Sequence, residues 1–117
     1  MNKIFLVGNL TKAPTKQVVK DDCTVVRFVL AVNRVYGDRQ TSDYFPVVVW
    51  RGLADTCAKY LKKGSKVCVV GTLQTNSYEA KDGSKRYSIE VIADEIQFLS
   101  GAGKDIEEVS DEKRADN

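Results

Sequence analysis

Histidine is absent from this 117-residue chain. That removes the commonest general base and the commonest metal ligand together. Cysteine occurs three times, as Cys23, Cys57 and Cys68, and none of them pair as CxxC. A zinc site without histidine would need all three thiolates plus a carboxylate at unusual spacing. The cysteines are therefore expected to be buried or half-buried free thiols, and no metal or other cofactor is expected. Proline occurs twice and tryptophan once. No apolar run approaches the ~20 residues of a membrane span. The opening MNKIFLVGNL has too short an apolar stretch, and no small-residue cleavage site, for a secretory signal. A cytoplasmic protein with no membrane partner is expected. There is no internal repeat.

The composition is otherwise that of a globular domain, with 43% hydrophobic and 29% charged residues. The net charge of +2 is unevenly spread. Residues 1–100 hold 15 Lys and Arg against 10 Asp and Glu, and residues 101–117 hold 3 against 6. A basic body suits a polyanion partner, although solvated surface lysines give the same count. After Leu99, SGAGKDIEEVSDEKRADN has glycine and charge but no aromatic residue. Such a segment buries too little apolar surface to order itself. Two units follow: a folded domain over residues 1–100 and a disordered acidic tail over 101–117.

Within the domain, strand patterning dominates. KIFLVGNL predicts a first strand with Gly8 as a bulge or kink, followed by a loop through Pro14. CTVVRFVLAVNRVY predicts a second, and GDRQTSD reads as a polar loop after it. DYFPVVVWR predicts a third. KVCVVGTLQTNSY predicts a fourth, with Gly71 in mid-strand, and RYSIEVIADEIQFL a fifth. Between the last two, Asp82-Gly83 is a strong hairpin turn signal. The one helix candidate is LADTCAKYLKKG. Leu53, Cys57, Tyr60 and Leu61 fall on one of its faces, and Gly64 is a natural stop. Three strands, a helix, then a hairpin is the order of the five-stranded Greek-key barrel called the OB-fold, whose helix lies between strands three and four. Glycines within the strands permit the bulges and close approaches that closure needs. The fold class is all-β.

On the third strand, Phe45, Val47 and Val49 point one way and Tyr44, Pro46, Val48 and Trp50 the other. If the first set fills the barrel, Tyr44 and Trp50 face out. Tyr36 and Tyr78 stand at strand ends. Arg34, Arg39, Arg51, Lys81, Lys85 and Arg86 lie near these rings. Unpaired bases stack on such rings at ~1–3 kcal/mol each while phosphates follow a basic groove. A subunit interface and cross-strand packing use outward aromatics equally well. The function alternatives are thus a nucleic-acid binder and an OB-fold protein-interaction module whose aromatic face is an oligomer interface. A nuclease would need clustered carboxylates and a metal. Asp94 and Glu95 are adjacent, hence on opposite faces of a strand, and make no acid/base pair. No enzyme activity is expected.

Four segments carry a resemblance. NKIFLVGNLTKAP, YFPVVVWRGLAD, AKYLKKGSKVCVVGTLQT and DGSKRYSIEVIADEIQFL together are similar to the bacterial and phage single-stranded DNA-binding proteins, in order, over residues 2–99. The resemblance implies an OB-fold homotetramer that binds and protects single-stranded DNA in replication, recombination and repair, associated with the nucleoid. It puts base-stacking aromatics at Tyr36, Tyr44, Trp50 and Tyr78. It puts Lys3, Arg34 and Lys63 in or near phosphate-meeting positions. Arg51 lies beside the stacking face, and Lys85 and Arg86 sit across the turn from Tyr78. The sequence departs from the family pattern in places. Pro46 cannot donate to a ladder, so local unpairing of the strand is expected there. QTNSY is poor in charge, and Lys81, Lys85 and Arg86 can compensate. Family members commonly end in an acidic tip closing with Pro-Phe that docks repair and replication proteins. This tail ends EEVSDEKRADN, which leaves recruitment through it open.

Overall fold

The computed structural model describes residues 1–99. They form β1 (Ile4–Leu10), β2 (Thr15–Val19), β3 (Cys23–Tyr36), β4 (Arg39–Trp50), α1 (Arg51–Tyr60), β5 (Lys66–Glu79) and β6 (Lys85–Phe98). Five strands close into a barrel in the order β1-β5-β6-β4-β3, with β3 returning to β1. The expected Greek-key barrel, with its helix before the final hairpin, is present. The expected tail over 101–117 lies outside the described residues. No described helix is long and apolar enough to cross a membrane.

Closure explains two glycines. β1 pairs with β5 along its length but meets β3 only at Asn9–Ala31 and Leu10–Leu30. A Cβ at Gly8, just before that junction, would run into the carbonyl oxygen of Ala31. Gly8 is therefore a point of close backbone approach, not the bulge expected from sequence; its pairing with Val67 is regular. Gly71 does lie at a bulge, where the β5–β6 register shifts between Val70 and Gly71. A Cβ there would meet the Ile92 carbonyl.

Three boundaries differ from expectation. β2 has no counterpart among the strands expected from sequence. It is an exposed edge strand on β3, joined to it by a turn in which Asp21 (φ 61) and Asp22 (φ 56) are both left-handed. That is the pattern of a type I′ turn, which Asp tolerates. β4 begins at Arg39, so most of the expected GDRQTSD loop is strand. Gly37 (φ 56) and Asp38 alone make the turn. The helix runs from Arg51 to Tyr60, and Gly64 does not stop it. Leu61 is already extended, and Gly64 (φ 87) turns the chain three residues later. There the Gly64 N–H donates to the Leu10 carbonyl at 2.9 Å.

The core comprises Leu10 of β1, Val26, Phe28 and Leu30 of β3, Val47 and Val49 of β4, Val67 and Val69 of β5, and Val91 and Ile96 of β6, closed at one end by Ala54, Cys57 and Leu61. Phe45 packs against it. Tyr60, expected on the buried helix face, is exposed and meets Phe98 edge-on. Cys57 is buried and Cys23 and Cys68 half-buried, all free, as expected.

β3–β4 and β5–β6 are long hairpins whose outer halves leave the barrel as two arms. β4 and β6 are parallel neighbours at Val47–Val91 and Val48–Ile92. Both turns therefore project from the same end, opposite α1. Pro46 sits just before the first β4 residue paired with β6, so its missing donor falls where that edge of β4 has left its neighbour.

Candidate nucleic-acid interface

Period-two alternation decides where each candidate points. The β3–β4 register is unbroken from Val25–Trp50 to Tyr36–Arg39. With Phe45, Val47 and Val49 inside, Tyr44 and Trp50 stand on the outer face. Between them, Val48 is outward yet buried. The Arg27 guanidinium reaches Glu90 at 3.3 Å from one neighbouring strand to the other, across β4. In β5 and β6, Tyr78 and Arg86 are directly opposed on the same outer side.

Tyr36 departs from this set. It shares parity with Phe28 and Leu30, so it lies on the inner face of its arm, together with Arg34 and Asp43. The four expected stacking groups thus occupy two faces. All are open to solvent: Tyr36 is 65%, Tyr44 59%, Trp50 41% and Tyr78 54% exposed. From the turn at Arg39 to Trp50 the strand runs roughly 36 Å, at ~3.3 Å per residue.

The cations divide similarly. Arg34 is held by Asp43 in a two-pronged contact, Nε to Oδ2 at 2.6 Å and Nη2 to Oδ1 at 3.3 Å. Its guanidinium also lies 5.5 Å from the Tyr36 ring centroid. The hydrogen bond and charge of Asp43 raise the Arg34 pKa further. Lys3 pairs with Asp94 at 3.0 Å. Arg86 is 3.5 Å from Asp82 and donates to Ser84 Oγ at 3.1 Å. Asp82 accepts from Ser84 through both backbone and side chain, which holds its pKa low. The expected turn at Asp82-Gly83 therefore also fixes Arg86. Arg51, Lys63 and Lys85 have no ion pair among the described residues. Arg51 and Lys63 lie at the helix end of the barrel and Lys85 at an arm tip, so one compact basic patch is not what the fold provides. Arg51 opens α1 at φ 60, a left-handed conformation in a residue that seldom adopts it.

The sequence candidates omitted Tyr87, the most exposed aromatic side chain of the described residues at 70%. Its signal was present. It stands opposite Ser77 in the hairpin, at the same parity as core Val91. Among the described residues no group of three or more His, Cys, Asp or Glu could hold a metal ion.

The model of the Single-strand binding protein family matches residues 1–99, the barrel and both arms. The single-stranded DNA-binding protein of Caldanaerobacter subterraneus subsp. tengcongensis is 44% identical over 103 residues, 85% of this chain and 68% of that protein. That of Clostridium tetani is 44% identical over 107 residues, 89% of this chain and 74% of its own. That of Bacillus cereus is 44% identical over 102 residues, 85% of this chain and 60% of its own. With its whole barrel matched, the chain belongs to the single-strand binding protein family.

Proposed function

We propose that this protein binds single-stranded DNA without sequence preference and protects it during replication, recombination and repair, in the cytoplasm and on the nucleoid. It has no chemistry of its own. Bases stack on Tyr44, Trp50 and Tyr78 of the outer face and on Tyr36 of the inner. Arg51, Lys63 and Lys85 meet phosphates directly. Lys3, Arg34 and Arg86 do so by exchanging a protein carboxylate for a phosphate. The carrying observation is the outer face of β4, where Tyr44 and Trp50 stand exposed while Phe45, Val47 and Val49 between them face the core. Duplex DNA hides the base faces such rings would stack on, which favours single strands.

The protein acts as a homo-oligomer, a tetramer by family resemblance. The outer face of β1 and β5 supports this, since Phe5 and Val7 are exposed there beside Val70 and Cys68. The test is Tyr44→Ala and Trp50→Ala, each measured for affinity to oligo-dT. Each should weaken binding about 5- to 150-fold, the cost of one stacked base. Unchanged affinity in both, with a change in oligomeric state, would assign the aromatic face to protein contacts.

A further inference from the structure

We propose that the inner faces of the two arms form a second track for single-stranded DNA, with Tyr87 and Tyr36 as its stacking groups and Lys85 and Arg39 as its phosphate contacts. This rests on the function proposed above.

The face is a continuation of the core into solvent. The β5–β6 register is unbroken from Thr72–Ile92 to Glu79–Lys85, so Val91, Ile89, Tyr87 and Lys85 share one side. Val91 is sealed in the barrel, Ile89 is partly open and Tyr87 is open. No layer packs above them within the described chain. On the other arm, Val32, Arg34 and Tyr36 run out from the core in the same way, opposite Asp43, Thr41 and Arg39. Because β4 and β6 are neighbours in one sheet, these two inner faces lie on the same side of it.

Charge selects the occupant. Asp43 is balanced by Arg34. Glu79 is the other carboxylate on these inner strand faces, against Lys85 and Arg39. An exposed ring with a cation at each arm suits a flexible polyanion whose bases present π-faces. Tyr44, Trp50 and Tyr78 lie on the opposite surface of the same arms. A strand touching both sets must pass round an arm, and it occupies more nucleotides than the outer face alone.

The experiment compares wild type, Tyr87→Ala and Tyr87→Phe with two oligo-dT probes. One has about 8 nucleotides, within the range one OB-fold covers; the other is several times longer. Trp50 fluorescence reports the outer face. Tyr87→Ala should leave quenching by the short probe within about twofold of wild type. Its affinity for the long probe should fall about 5- to 150-fold, and Tyr87→Phe should restore it. Lys85→Gln should flatten the salt dependence of long-probe binding by about 0.7 in the log–log slope. Unchanged long-probe affinity in Tyr87→Ala and an unchanged slope in Lys85→Gln would overturn the proposal. So would an altered oligomeric state in Tyr87→Ala, which would give the face to a second copy of the chain. If wild type itself fails to bind either probe, it is the proposed function that falls.

Discussion

Removing the Asp43 charge should make DNA binding more salt-dependent, not less. In the folded protein Arg34 already has its anion, with both carboxylate oxygens of Asp43 within hydrogen-bonding distance. When Arg34 exchanges that carboxylate for a phosphate, the freed Asp43 takes up a cation again, so the exchange adds almost nothing to the salt slope. Asp43→Asn keeps the side-chain shape and frees the guanidinium. Each phosphate newly neutralised on a single strand steepens log K against log[salt] by about 0.7. A fourfold rise in salt, from ~50 to ~200 mM, should then cost the variant about 2.6 times more affinity than it costs wild type. At low salt the variant should bind more tightly. The pair is exposed, so its loss should scarcely affect folding. The assay is equilibrium titration with oligo-dT across that salt range. Arg34→Ala supplies the control: it should change the slope little in wild type and remove the gain in Asp43→Asn. An unchanged or shallower slope in Asp43→Asn would refute the reasoning.

Other expectations concern the scaffold. Gly8→Ala should destabilise by about 1–3 kcal/mol, because the methyl meets backbone at the barrel junction. Gly52→Ala in α1 meets nothing within 4 Å and should stabilise by about 0.5–1 kcal/mol; thermal melts decide both. Burial pushes the Cys57 thiol from 9.0 up to about 12. Between those values the unfolded chain loses a proton that the folded one keeps, so stability is full below about pH 9 and falls toward pH 12 by about 1.4 kcal/mol per unit. Melting temperatures from pH 8 to 11 should fall more steeply in wild type than in Cys57→Ala. Arg51→Gly relieves the left-handed backbone at the start of α1. It should stabilise the fold by up to about 1 kcal/mol while weakening oligo-dT binding.

The barrel was legible because its strands carry apolar residues on a period of two and its helix carries them on a period near 3.6. β2 was not, since TKQVV is an edge strand with almost nothing buried and so has no alternation to read. The same physics hid the start of β4. Arg39–Asp43 pairs with β3 through backbone, while its side chains face water. Tyr44 and Trp50 could be placed from sequence because Val47 and Val49 between them fix the parity. Tyr36 could be placed on a face only by counting from Leu30 along an unbroken strand, and that count separates it from Tyr44. Lys3–Asp94 joins residues 91 apart, a pairing that local sequence does not encode. Gly8 is a similar case. Its need for glycine comes from Ala31, across a junction that exists only once the barrel has closed.

The most direct test of the central claim is a titration of the protein with oligo-dT, followed through the fluorescence of Trp50, at low and at high salt. Stacking on the outer face of β4 predicts strong quenching, with affinity that weakens as salt rises. Absence of quenching from a folded protein, or affinity indifferent to salt, would contradict it.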